Sequence, residues 1–237
     1  MKTSIVLSSI FMLLFSCKEQ PEPPKVIYEK GTPQATQIAV DTTSFKVADL
    51  PILMEGTKYM IFPVGDIRVF ESERASYGSS KASHESYAIS NYNRFEITGY
   101  FDNLKFQHID SLRSKSLTDK KIQIQTATYL DQIALKTKKQ LFIYTLVDAD
   151  TNNDGKINQK DIKSLYISKA NGSSFTKLSE EFHELIDWNI IEAQNKLYFR
   201  SIEDINKNGA FDKEDKVHYH VVHLLEKEWK AIKYDPF

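Results

Sequence analysis

The chain reads as a mainly β protein of antiparallel strand repeats, and three observations lead to that class. Short β-branched and aromatic runs, such as Leu141-Phe-Ile-Tyr-Thr-Leu146 and Leu197-Tyr-Phe-Arg-Ser-Ile202, recur along it. Each of these two runs is followed by a twelve-residue Asp/Asn-rich segment and then by a second strand-like run. After the first such unit, Asn171-Gly172 has the composition of a hairpin turn.

Before the repeats comes a segment of different character. Lys2 gives a positive start, the apolar run from Ile5 to Phe15 is too short to span a bilayer, and small Ser16 precedes Cys17. Cys17 is the single cysteine, so it has no disulfide partner within the chain. The Leu14-Phe-Ser-Cys17 segment resembles a bacterial lipoprotein signal. The resemblance implies that residues 1–16 are removed and that Cys17 is acylated, with palmitate as a lipid. A lysine rather than an aspartate at 18 implies the outer membrane, on its periplasmic or cell-surface face. Residues 17–44 then read as a tether, because Lys18-Glu-Gln-Pro-Glu-Pro-Pro-Lys25 is charged and proline-rich and favours an extended, flexible chain.

Residues 45–237 are the expected β-repeat domain. The chain's formal net charge is −1 and it has no basic stripe, which argues against nucleic acid as a partner. No second long apolar run occurs, so contact with a membrane is expected only through the lipid. Ser72 to Ser90 is polar and serine-rich and reads as a long loop.

The two Asp/Asn-rich segments carry the chemistry that the sequence spells out. The first spans 150–161, with Asp150, Asn152 and Asp154 at positions 1, 3 and 5, Gly155 at 6, Lys156 at 7, Ile157 at 8 and Asp161 at 12. The second spans 204–215, with Asp204, Asn206, Asn208, Gly209, Ala210, Phe211 and Asp215 at the same positions. This is the pattern of an EF-hand calcium loop, in which oxygen ligands surround a hard cation and glycine permits the sharp turn after the third ligand. Lys156 and Ala210 would each supply a backbone carbonyl, and Ile157 and Phe211 would point away from the ion to anchor the loop. A frame starting at Asp148 loses both the apolar anchor and the closing carboxylate, so Asp150 is the better start. Aspartate at position 12 in place of glutamate resembles the calcium loops of dockerin modules in exported proteins. Asn208 at position 5 leaves the second loop with fewer charges, which predicts weaker binding. Affinities of about 10⁻⁴–10⁻³ M suffice outside the cell.

The flanks of both loops are strand-like, which excludes the helix-loop-helix of a calmodulin-type sensor. Leu165-Tyr-Ile-Ser168 and Val217-His-Tyr-His-Val-Val222 exit the loops, Phe175-Thr-Lys-Leu178 follows the Asn-Gly turn, Trp188-Asn-Ile-Ile191 opens the second unit and Glu228 to Tyr234 closes it. Lys58 to Phe62, Phe95 to Thr98 and Leu104 to His108 suggest a degenerate third copy without calcium. The unit resembles a β-propeller blade, and the resemblance implies either a small ring or an open stack of sheets.

Catalytic readings are weaker. His218, His220 and His223 invite a zinc site, but His223 is out of phase on a strand, no acid or cysteine completes the set in sequence, and alternation with Tyr219 and Val221 predicts solvent-facing histidines. His84 has no activated-serine context, and Glu180, Glu181, Glu184 and Asp187 read as surface acids. The expectation is therefore a non-enzymatic, lipid-anchored, calcium-binding protein in which calcium stabilises the fold. A surface protein that binds a glycan or an outer-membrane protein, with Trp188 and Trp229 as an aromatic platform, is the alternative, and a hydrolase ranks last.

Overall fold

Residues 23–28, 44–68 and 88–237 are described by the structure, a computed structural model. Residues 1–16, Cys17, most of the tether and His84 lie outside the described residues. In chain order the elements are β1 (Ser44–Ala48), β2 (Ile52–Leu53), β3 (Tyr59–Arg68), β4 (Ser90–Asn93), β5 (Glu96–Phe101), β6 (Asn103–His108), β7 (Ser114–Ser116) and β8 (Gln123–Tyr129). There follow α1 (Asp131–Thr137), β9 (Leu141–Val147), β10 (Lys163–Lys169), β11 (Thr176–Lys177), β12 (His183–Ile191), β13 (Lys196–Glu203), β14 (Lys216–His223) and β15 (Ile232–Lys233). The fold is mainly β and its sheets are antiparallel, as expected.

Three sheets form. β1-β3-β6-β7, with β2 beside β3, make the first, β11-β10-β9-β8-β5-β4 the second, and β12-β13-β14-β15 the third. The second sheet has a core on each face, and the strand period explains how. Phe142, Tyr144 and Leu146 of β9 join Ile61, Leu104 and Phe106 of the first sheet in one cluster. Their chain neighbours Leu141 and Ile143 join Leu197, Phe199 and Val222 of the third sheet in another. Alternate residues on a strand point to opposite faces, so a continuous apolar run is what a doubly covered strand requires. Each such buried side chain contributes about 1.5–3 kcal/mol relative to exposure.

Two expectations are corrected here. The supposed third copy is not one unit, because Lys58 to Phe62 and Leu104 to His108 meet as β3 and β6 while Phe95 to Thr98 enters β5 and pairs with β8 in the second sheet. The β-propensity of these runs was sound, but partner choice is non-local and no loop motif marks it. The one helix among the described residues, α1, was also missed. It is short, buries Ile133 and ends at Lys138 in the left-handed region, with φ of 64°.

The Asn171-Gly172 turn lies where expected, between β10 and β11. Gly172 has φ of +74°, and a Cβ there would stand 2.5 Å from the Phe106 ring, so glycine is required both for the turn and for the approach to the first sheet.

Candidate functional site

The first Asp/Asn-rich loop joins β9 to β10 and the second joins β13 to β14, each linking two hydrogen-bonded strands. Both loops close with the same internal bonds. At position 1, the Asp150 carboxylate accepts the N–H of Asp154 at 3.1 Å and of Gly155 at 2.8 Å, and Asp204 accepts those of Asn208 at 3.2 Å and Gly209 at 2.7 Å. At position 3, Asn152 and Asn206 accept from the same position-5 N–H, at 3.0 and 2.9 Å. At position 5, Asp154 and Asn208 accept the N–H of Lys156 and Ala210 at 2.9 and 2.8 Å. The position-12 carboxylates close the loops. Asp161 accepts from Thr151 at 2.8 Å and Asn158 at 2.9 Å, and Asp215 from Ile205 at 3.2 Å and Asp212 at 2.9 Å.

Backbone conformation follows the same register. Position 4 is left-handed in both loops, at Asn153 with φ of 58° and Lys207 with φ of 57°, and so is the glycine at position 6. The side-chain oxygens of positions 1, 3 and 5 are thus turned toward the loop's own backbone N–H groups, and each retains lone pairs beyond those bonds. Burial raises the Asp161 carboxyl above the usual range, against three backbone N–H groups that lower it. Asp148, the start of the rejected frame, is engaged elsewhere, accepting from Tyr166 Oη at 2.7 Å and pairing with Lys177 at 2.7 Å. Ile157 and Phe211 are half-buried, so position 8 anchors each loop less deeply than expected.

Residues 23–28, read as tether from sequence, lie against both loops. Lys25 N–H donates to the Gly209 carbonyl at 2.7 Å, and Ile27 N–H donates to the Thr151 carbonyl at 2.9 Å. Thr151 Oγ1 donates to the Lys25 carbonyl at 2.7 Å, and Val26 is buried. Lys25 Nζ also pairs with Glu184 at 3.0 Å, whose other oxygen accepts the Lys163 N–H at 2.8 Å. Tyr28 sits beside Asp204, and burial followed by that carboxylate pushes its hydroxyl up to about 12. The apolar Val26-Ile27-Tyr28 run, directly after the charged stretch, was the available signal for this docking.

The histidines of β14 are corrected. His220 is 1 % exposed and stacks on Phe199 at 4.5 Å, and the His218 side chain is 10 % exposed. They share a face with Val222, which is fully buried, so the alternation was right and the choice of face was wrong. An acid does complete the set. His218 Nε2 lies 2.7 Å from Glu203 Oε2, and that bond holds the Glu203 carboxyl below the usual range. His183, on β12 opposite Glu203, brings its ring to 5.0 Å from that of His218. Burial lowers both His183 and His220 below the usual imidazole range, against the neighbouring Glu180 carboxylate, which raises them.

The remaining sequence candidates have structural partners. Glu180 pairs with Lys233 at 3.0 Å, Glu181 with Lys177 at 3.1 Å, and Asp187 with Arg200. Trp229 is buried and Trp188 is half-buried against the core, which removes most of the aromatic platform. His183 Nδ1 does lie 3.4 Å from Ser201 Oγ, but Ser201 is wholly buried and offers a substrate no path to its hydroxyl. His108 neighbours Asp110 and stacks edge-on with Tyr59. Among the described residues no helix is long and apolar enough to cross a membrane. Comparison with protein-family models, with curated proteins and with solved structures gives no match.

Proposed function

We propose that this protein is a calcium-binding, lipid-anchored extracytoplasmic protein in which calcium stabilises the fold. The observation that carries the reading is the shared closure of two separate loops, in which the same positions supply side-chain oxygens to the same backbone N–H groups. Two unrelated Asx-rich turns have no reason to agree at positions 1, 3, 5, 6 and 12 together.

Asp150, Asn152, Asp154, the Lys156 carbonyl and Asp161 would hold one ion. Asp204, Asn206, Asn208, the Ala210 carbonyl and Asp215 would hold the other. Oxygen-only donors suit a hard cation, and a bound ion offsets the repulsion among the carboxylates and the burial that raises Asp161. Each loop joins paired strands, so each ion cross-links one strand to the next. By mass action a site adds about 2.7 kcal/mol when free calcium is a hundredfold above its dissociation constant. The blade-like unit of strand, loop and strand gives this staple a structural purpose in a chain whose one cysteine is assigned to lipid.

Titration calorimetry of the full-length protein with calcium tests the binding, with two sites expected and no binding heat as the contrary result. Metabolic labelling with palmitate tests the anchor. Label should enter the wild type and be lost in Cys17→Ser, and equal labelling of both would contradict it.

A further inference from the structure

We propose that His183, Glu203 and His218 form a binding site for one divalent transition-metal ion of the zinc type, on the third sheet and distinct from the calcium loops. Their ligand atoms lie within 4.8 Å of one another. Bonds of about 2.0–2.2 Å from nitrogen or oxygen to a tetrahedral zinc place two ligands of one ion about 3.3–3.6 Å apart, so side-chain rotations that draw the three atoms together by about an ångström complete the set.

The strands hold these residues together. β12, β13 and β14 are hydrogen-bonded neighbours, with His183 opposite Glu203 and His218 opposite Ser201, so the three side chains rise from one face at adjoining positions. Two imidazoles and one carboxylate select a borderline metal over calcium, which prefers oxygen alone. The set also leaves a fourth position for water. The hydrogen bond between His218 Nε2 and Glu203 Oε2 is the contact that an ion would replace, with release of the shared proton.

The surroundings fit the same use. A ligating histidine needs an acceptor for its second ring nitrogen. The two nitrogens of His183 face Ser201 Oγ at 3.4 Å and Glu180 Oε2 at 3.6 Å, so whichever binds the ion leaves the other with a partner. Glu180 is itself held by Lys233 at 3.0 Å, which keeps it beside the site without making it a competing ligand. Glu203 is the open rim, with its side chain 44 % exposed against 9 % for His183. Beside the set, the ring of His220 is buried with its Nδ1 lacking any hydrogen-bond partner and its Nε2 reaching only Glu180. Native buried polar groups are almost always satisfied. His220 lies one ring from His218, at 6.3 Å between centroids, with Glu180 Oε1 3.5 Å from its Nε2.

Zinc alone is the probe, titrated into the full-length protein with calcium saturating and again with none added. One site is expected under both conditions, and it stands whether or not the loops take calcium. Glu203→Gln keeps the size of the side chain and its contact with His218, and should weaken zinc at least 10- to 100-fold, the loss typical even for an outer-shell partner. His108→Ala should leave the affinity unchanged. Should Glu203→Gln fail to fold, imidazole nitrogen NMR of the wild type decides. Zinc should shift His183 and His218 and leave His108 in place. Absence of zinc binding, affinity indifferent to Glu203→Gln, or shifts confined to other histidines would overturn the proposal.

Discussion

The loop at 150–161 and the loop at 204–215 share nearly all their internal hydrogen bonds but have different surroundings. Gly155 has open space where a side chain would be, whereas a Cβ on Gly209 would stand 2.5 Å from the Val26 carbonyl and 2.6 Å from Pro24. Position 1 is half-buried in the first loop and 3 % exposed in the second, while position 12 reverses that order, with Asp161 at 1 % and Asp215 half-buried. A local code of twelve residues thus sets the turn, and the chain packed against it sets how much each residue matters.

The two loops should differ most in their response to substitution at the glycines. Gly155→Ala should cost roughly 1–2 kcal/mol, the strain of a left-handed alanine. Gly209→Ala adds displacement of residues 23–28, with the hydrogen bonds they give to the loops, and should cost about 3 kcal/mol or more by thermal melting. Equal losses would mean that the N-terminal segment does not pack on the second loop.

Charge at position 5 is the next largest difference. The first loop, with Asp154, should bind calcium about tenfold more tightly than the second, with Asn208, because ligand charge tunes affinity. Calorimetric titration of Asp154→Asn should bring the two sites together, as should Asn208→Asp from the other direction. If neither substitution changes the separation, position 5 is not a ligand.

Thr151 is a tie that only the first loop has. Its hydroxyl donates to the Lys25 carbonyl and accepts the Ile162 N–H at 3.0 Å, so Thr151→Val should cost about 1 kcal/mol in denaturant unfolding. The Asp187–Arg200 pair lies in neither loop and is half exposed. Asp187→Asn should cost about 0.2–1 kcal/mol, independent of calcium. The guanidinium lowers the Asp187 carboxyl, so this contribution is present at neutral pH and is lost as pH falls from about 4 through the lowered value.

Much of this was legible in the sequence, for local reasons. Leu141 to Leu146 read as a strand, with its burial on both faces supplied by the structure, and the positions of aspartate, asparagine and glycine specified two loops whose bonds agree nearly bond for bond. What was illegible depends on residues far apart in the chain. His183 and His218 reveal nothing of each other until β12, β13 and β14 pair, although Val222, in phase with His218 and His220, was a signal for which face is covered. Residues 23–28 look like a linker because their partners begin more than a hundred residues later. The mispaired third copy failed for the same reason, since strand propensity does not name a strand's neighbour.

Differential scanning calorimetry of the full-length protein in millimolar calcium, against excess chelator, tests whether bound calcium holds the strands of this fold together. The melting temperature should be several degrees higher with calcium, since one kilocalorie per mole moves a domain of this size by roughly 2–4 °C. An identical melting temperature in calcium and in chelator would contradict it.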